Sequence, residues 1–232
     1  MTLPNFPRRT CTPITAVEFN AMRQGARILE SDRRGDKVLL TPDNRIIKLF
    51  YPRRLLTSAR LYPYAFRFRN NAKHLLSLGI NTVQCEQLRY DRSQHRHLVT
   101  YPLLAGTSLR ECLEGNRCGD EDLEKLAAYL ATLHSKGILF RSLHLGNILV
   151  LEDGGFGLID VADMSISRRP LGLLRRARNF RHLLHDHRDR EVLDRYGCKR
   201  FFLAYETAAG VSGLQRLLLR ALVGYYAPVF VH

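Results

Sequence analysis

The sequence predicts an α+β fold in which a strand-rich first part is followed by a helix-rich second part. Two observations lead there. Short strand-like runs separated by turn residues crowd residues 26–101, and helical spacing of leucine and alanine takes over from about residue 120. No internal repeat links the two parts.

The elements follow in order. Thr15-Ala-Val-Glu18 has the S/T-x-x-E form that satisfies the first free amides of a helix, and Gly25 offers a stop, so a helix is expected over about 15–24. The runs ARILES (26–31), KVLLT (37–41) and RIIKLF (45–50), divided by DRRGD and PDN, read as a small antiparallel meander. A helical segment is expected from Leu55 to Leu78, closing at Gly79. Two more strands, TVQCEQLR (82–89) and HRHLVTY (95–101), flank the polar turn YDRSQ. Leu123, Leu126, Ala127, Leu130 and Leu133 then recur at helical spacing, with Asp120 as a cap and Gly137 as an end. ILV (148–150) and FGLI (156–159) are joined by Glu152-Asp153-Gly154-Gly155, a hairpin signal. Residues 171–225 read as largely helical, with Leu174, Ala177, Phe180 and Leu184 as an apolar stripe facing a core. The boundary between the two parts is expected in Tyr101–Gly106, giving a first lobe over 1–101 and a second over 102–232.

Composition narrows the function classes. With 45% hydrophobic and 25% charged residues in 232, the chain reads as globular, and its apolar runs are too short for a membrane span. The start MTLPNFPRRTCTP lacks an apolar stretch fit for export, so a cytoplasmic location is expected. Five scattered cysteines suggest neither a disulfide framework nor a zinc site. The formal charge of +14 asks for an anionic partner: nucleic acid, an anionic membrane face or a phosphorylated substrate. Against nucleic acid, aromatic residues do not interleave with the arginines and no reading motif is present.

The chemistry concentrates in GILFRSLHLGNILVLEDGGFGLIDVAD (137–163). Asn147 and Asp160 stand on either side of the hairpin arms, so pairing of the arms brings an amide oxygen and a carboxylate close together. Hard oxygen ligands of this kind suit Mg²⁺.

The segment resembles the catalytic and metal-binding loops of the protein-kinase-like superfamily, whose pattern is H-R-D-L-x-x-x-N, a hairpin, then D-F-G. Here it reads Phe140-Arg141-Ser142-Leu143-His144-Leu145-Gly146-Asn147, then Asp160-Val161-Ala162. The resemblance implies a bilobed fold with a small antiparallel-sheet first lobe and a mainly helical second lobe. It also implies ATP and Mg²⁺ as cofactors, Asn147 and Asp160 as metal ligands, Lys48 of RIIKLF as the phosphate-reaching lysine, and Tyr101 to Leu103 as adenine-edge contacts. Arg141, Ser142 and His144 fall in the catalytic loop. The L-H-x-G-N form and the Arg-rich SRRPLGLLRRARNFRHLLH stretch are closest to the heptose and Kdo kinases of bacterial lipopolysaccharide core. That implies a sugar hydroxyl of an anionic glycolipid or sugar-phosphate as acceptor, and peripheral contact with the inner membrane.

Three departures accompany the likeness. DRRGD holds a single glycine where a phosphate-covering loop has several, and Phe68 aligns with the glutamate that partners the lysine. Ser142 replaces the acceptor-orienting aspartate. Phosphoryl transfer depends mainly on positioning and charge neutralisation. Losing the base therefore costs about 10²–10⁴-fold, or roughly 3–5 kcal/mol of barrier, without forbidding the reaction. His144 and Asp163 are the nearby groups that could stand in. Two readings stay open: an active sugar kinase, or a pseudokinase that binds nucleotide and regulates or scaffolds a protein partner. Arg168, Arg169, Arg175, Arg176, Arg178 and Arg181 are either a solvated face or an anion-facing one.

Overall fold

The Thr15 box forms as the sequence expects. In the computed structural model, which describes residues 11–51 and 62–231, the Thr15 hydroxyl accepts the Glu18 amide at 3.2 Å while Glu18 Oε2 accepts the Thr15 amide at 2.7 Å. These bonds start helix α1 (Ala16–Arg23), which follows the short strand β1 (Thr12–Ile14) that periodicity does not reveal. The meander follows as β2 (Arg27–Asp32), β3 (Gly35–Leu40) and β4 (Arg45–Phe50). Helix α2 (Tyr64–Ser77) buries Ala65, Phe68, Ala72 and Leu75, one face at heptad spacing. The expected start of this helix at Leu55 lies outside the described residues.

The described residues form two units, one reaching Leu76 and resuming over Val83–Leu104, the other taking Ser77–Thr82 and everything from Ala105. The run expected as one strand over 82–89 is therefore divided. Its start is β5 (Asn81–Thr82), which belongs to the second unit, and its end is β6 (Gln87–Asp91), which pairs with β7 (Arg96–Pro102) in the first. The first unit's sheet runs β1-β6-β7-β4-β3-β2, parallel between β1 and β6 and antiparallel elsewhere. Phe19, Leu39, Ile47, Leu49 and Leu98 pack as its core. The Arg96 guanidinium lies 4.3 Å from the Phe19 ring centre while its Nε donates to Asp91 at 3.0 Å, which ties the β6–β7 turn to α1.

The second unit continues with β8 (Thr107–Ser108) and a six-residue helix α3 (Leu109–Glu114) that the sequence reading did not include. Helix α4 (Asp120–Ser135) buries each of the five residues that predicted it. Its cap is not Asp120, which is already helical. Gly119 takes that place and donates its amide to Asp122 Oδ2 at 3.0 Å. At the far end Gly137 has φ 77°, and a Cβ there would lie 2.2 Å from the Ser167 carbonyl, so only glycine closes this turn.

Strand β9 (Ile138–Phe140) pairs with β12 (Met164–Ile166). Between them the hairpin β10 (Ile148–Val150) and β11 (Phe156–Leu158) forms in the expected place, within a sheet of order β5-β11-β10-β8. Helices α5 (Leu173–Leu183), α6 (His187–Tyr196), α7 (Cys198–Ala208) and α8 (Gly213–Tyr226) complete the unit. Phe180 of α5 sits at its centre, meeting Phe202, Tyr205 and Phe230 edge-on at 5.3, 4.9 and 5.1 Å. The stripe expected on α5 shifts accordingly. Leu174 is exposed and Leu184 half-buried, while Ala177, Phe180, Asn179 and Leu183 face inward. Eight helices and mixed sheets among the described residues make the architecture α+β.

Candidate functional site

The hairpin register sets the metal-ligand candidates side by side. Ile148 opposes Leu158, and the pairing extends one residue further because the Ile159 amide donates to the Asn147 carbonyl at 3.0 Å. Asp160 follows directly. It adopts φ 53°, a left-handed conformation that non-glycine residues seldom hold and that tends to persist where function requires it.

Asn147 is buried at the end of a 3₁₀ turn over Leu145–Asn147, and its Nδ2 donates to the Ser142 carbonyl at 2.9 Å. With the amide nitrogen committed to the loop, Oδ1 is the atom left to bind a cation. An amide oxygen and a carboxylate at adjoining ends of two paired strands are a donor set that fits Mg²⁺, with the remaining positions left to water and phosphate.

The loop between Phe140 and Asn147 is held by groups that the sequence reading missed. Asp189 of α6 is wholly buried; Oδ2 accepts the Leu145 amide at 2.7 Å and Oδ1 accepts Arg110 Nε at 2.6 Å. Asp186 Oδ2 lies 2.7 Å from Arg110 Nη2, an ion pair not aligned as a hydrogen bond. At the start of the loop, Asn179 Nδ2 donates to the Phe140 carbonyl at 2.7 Å. Asn179 Oδ1 is then the acceptor 3.0 Å from His134 Nε2, which must carry a proton, so Nδ1 accepts the Tyr205 hydroxyl at 2.7 Å. Burial holds His134 down to about 3 and pushes Tyr205 up to about 12, so both are neutral and the chain is self-consistent. Asp189 stands in the strongly polar run HDHRDRE, where only its burial sets it apart. His134 lies on the apolar face that predicted α4, one signal that was open to reading.

The other catalytic-loop candidates sit close by. Ser142 is half-buried, and its carbonyl, as Asn147's partner, is the fixed point. Arg141 is exposed, with Nε 3.4 Å from Asp163 Oδ1 and its amide donating to the Asp163 carbonyl at 3.1 Å. Desolvation lowers the pKa of His144 below the usual histidine range, with Asp189 and Asp160 opposing and Arg110 reinforcing the shift. It is neutral at pH 7, the form a base needs, yet its Nδ1 is buried without a hydrogen-bond partner.

Lys48, Tyr101 and Leu103 belong to the first unit. Lys48 stands on β4 between Val38 and Val99 of the neighbouring strands, with its ammonium 5.6 Å from the centre of the Phe68 ring. Phe68 of α2 thus does reach the lysine, with a ring rather than a carboxylate. The buried Tyr101 ring packs 5.5 Å from the same Phe68. Leu103 is exposed, and its amide donates to the Asn44 carbonyl at 2.9 Å, so that N–H is engaged within the unit.

Three of the arginines around α5 are used locally. Arg175 donates to the Ser165 hydroxyl at 3.0 Å, Arg176 to the Leu171 carbonyl at 2.8 Å and Arg178 to the Tyr226 hydroxyl at 3.1 Å. Arg168, Arg169 and Arg181 lie exposed. Among the described residues no helix is long and apolar enough to cross a membrane.

No family model and no curated protein sequence matches the chain. Among solved structures, that of monomeric WbdD aligns with a TM-score of 0.50 at 17% identity, over 88% of this chain and 45% of that one. WbdD in complex with the kinase inhibitor LY294002 aligns at 0.47 and 17% identity, over 82% and 43% of the two chains. A 2.2 Å structure of WbdD gives 0.47 and 12% identity, over 80% and 47%. The chain thus spans less than half the length of WbdD. At 17% identity the likeness to monomeric WbdD concerns the fold alone.

Proposed function

We propose that the chain is a kinase-like phosphotransferase that binds ATP with Mg²⁺ and acts on a sugar hydroxyl of an anionic envelope glycan, with lipopolysaccharide core as the acceptor class. The observation that carries the nucleotide part is the Asn147–Asp160 hairpin end, where an oriented amide oxygen and a carboxylate held at φ 53° adjoin. The motif likeness and the shared fold with WbdD, a protein crystallised with a kinase inhibitor, support the same reading.

In this reading Asn147 Oδ1 and Asp160 of the second unit hold the cation, and for the first unit the motif likeness implies Lys48 as a phosphate contact and Tyr101 with Leu103 as base contacts. Mg²⁺, when bound, supplies neutralisation of the charge that develops on the transferring phosphoryl group. Arg141 and the exposed arginines near α5 offer positive charge to an anionic acceptor. Ser142 can orient an acceptor hydroxyl by hydrogen bonding but cannot take its proton near neutral pH.

A second reading, a pseudokinase that binds nucleotide and serves a protein partner, is favoured by two observations. Ser142 provides no carboxylate, and position 68, which the motif likeness aligns with a glutamate, holds a phenylalanine. Two measurements separate the readings. Saturating Mg·ATP at about a hundred times its dissociation constant should stabilise the protein by roughly 2.7 kcal/mol, and Lys48→Ala or Asp160→Ala should remove the effect. Transfer of labelled phosphate to core oligosaccharide then marks the enzyme. Stabilisation without transfer marks the pseudokinase, and absence of stabilisation sinks both.

A further inference from the structure

Helix α5 runs beside the strand that leads into the candidate loop, and its register along that strand can be counted. Arg175 donates to the hydroxyl of Ser165, which opposes Leu139, and one turn later Asn179 donates to the Phe140 carbonyl at 2.7 Å. The helix therefore advances in the direction of β9. His182 lies three residues beyond Asn179 on the same side of the helix, about 4.5 Å further along its axis. That distance is a little more than one residue of strand. His182 thus stands level with Arg141 and Ser142, where the Arg141 amide donates to the Asp163 carbonyl at 3.1 Å and extends the β9–β12 pairing.

The charges around the imidazole agree with that count. Apart from Arg181 and His185 of its own helix, the groups that act on it are Asp163 and Arg141. Those two form a loose, partly exposed pair, with Arg141 Nε 3.4 Å from Asp163 Oδ1. Half-burial lowers the pKa of His182; Arg181, Arg141 and His185 reinforce the shift and Asp163 opposes it. The ring is neutral at pH 7, the form that accepts a proton. His144, the histidine of the loop itself, instead has its Nδ1 enclosed by protein without a partner.

We propose that His182, with Asp163 beside it, takes the proton of the acceptor hydroxyl in place of the carboxylate that residue 142 lacks. This rests on the phosphotransfer reading, in which the acceptor meets the loop at Ser142. The acceptor oxygen bonds to the γ-phosphorus of ATP while the bond from that phosphorus to the ADP oxygen breaks, its electron pair staying on ADP. The hydroxyl proton passes to the unprotonated ring nitrogen of His182 and from there to solvent. Asp163 stabilises the imidazolium formed on the way. Standing beside position 142 rather than at it, His182 is a partial substitute, worth less than a fully placed general base.

Transfer of labelled phosphate from Mg·ATP to core oligosaccharide tests this in the full chain, in its His182→Gln and Ser142→Asp variants and in the two combined. His182→Gln should lower kcat roughly tenfold with the Mg·ATP stabilisation unchanged. In the Ser142→Asp background the same change should cost less than about twofold, because the carboxylate then carries the proton. The wild-type rate should fall as pH drops through the His182 pKa, below the usual histidine range, and His182→Gln should lack that limb. Histidine nuclear magnetic resonance gives a readout apart from turnover. Asp163→Asn should lower the pKa of the His182 signal, identified by its loss in His182→Gln, and should itself slow transfer severalfold, which serves if His182→Gln misfolds. Equal rates for wild type and His182→Gln, an equal loss in both backgrounds, or an unmoved His182 pKa in Asp163→Asn each overturn the proposal. Mg·ATP stabilisation without any wild-type transfer overturns it too but leaves nucleotide binding in place, whereas absence of stabilisation removes the phosphotransfer reading as well.

Discussion

Asp189→Ala is the perturbation that tests most directly how the candidate loop is held. The substitution removes two contacts of a wholly buried carboxylate, to Arg110 Nε at 2.6 Å and to the Leu145 amide at 2.7 Å. Removing one partner of a buried ion pair costs about 3–5 kcal/mol, and an amide left buried without an acceptor about 1–3 kcal/mol more. Asp186, 2.7 Å from Arg110 Nη2, still neutralises part of the charge. The expected loss is therefore about 4 kcal/mol, a large share of the roughly 5–15 kcal/mol that folds a domain. Asp189→Asn keeps one acceptor but turns a donor toward either Arg110 or the Leu145 amide, and should lose about 2 kcal/mol. Arg110→Met with Asp189→Leu replaces the pair by apolar groups and should recover most of the loss, giving a coupling of at least roughly 1.5 kcal/mol. The chain has no tryptophan, so urea unfolding is followed by far-ultraviolet circular dichroism. A loss under 1 kcal/mol for Asp189→Ala, or strict additivity in the double variant, would show that the network does not hold the loop.

Other outcomes follow from the same geometry. Asp160→Gly should be more stable than Asp160→Ala by about 1 kcal/mol in urea unfolding, because only glycine relaxes at φ 53°, while both lose the Mg·ATP stabilisation. His134 has a folded pKa of about 3, below its unfolded value near 6.5. Between those values the unfolded state binds more protons, so His134's contribution is present above pH 6.5 and is lost as pH falls. The loss should reach about 2 kcal/mol by pH 5, and His134→Gln should flatten that part of the stability profile. Ser142→Asp should change stability by less than roughly 0.5 kcal/mol and raise any transfer to core oligosaccharide by about 10²–10⁴-fold.

Much of the fold was legible because local rules and packing agree. The Thr15 box, the α4 leucines and the Glu152–Gly155 turn each act within a few residues of chain, and each formed where expected. What was not legible depends on partners far apart in sequence. Nothing between residues 82 and 89 announces that Thr82 bonds the Leu158 carbonyl at 2.6 Å while Gln87 begins a strand of another sheet. Leu174 satisfies the helical period of α5, but Asn179 takes the inward place because its amide is needed by Phe140 and His134. For the site, the sequence exposed candidate ligands through spacing. Their support is carried by Asp189, Arg110 and His134, which lie 79 and 45 residues from the partners they bond.

The serine at position 142 is easier to understand once the loop is seen as a backbone construction. Phe140 is held through its carbonyl, Ser142 through its carbonyl and Leu145 through its amide. None of these contacts uses the side chain at 142, so the frame that orients Asn147 is indifferent to whether that residue is Ser or Asp. In the proposed reading, a serine at this position forgoes proton transfer while the hairpin end that would hold the cation keeps its frame. Under that reading, cation binding and acceptor activation are separable. The first would depend on the buried network around Asp189 and Asn179, and the second on a half-buried side chain that the network leaves free to vary.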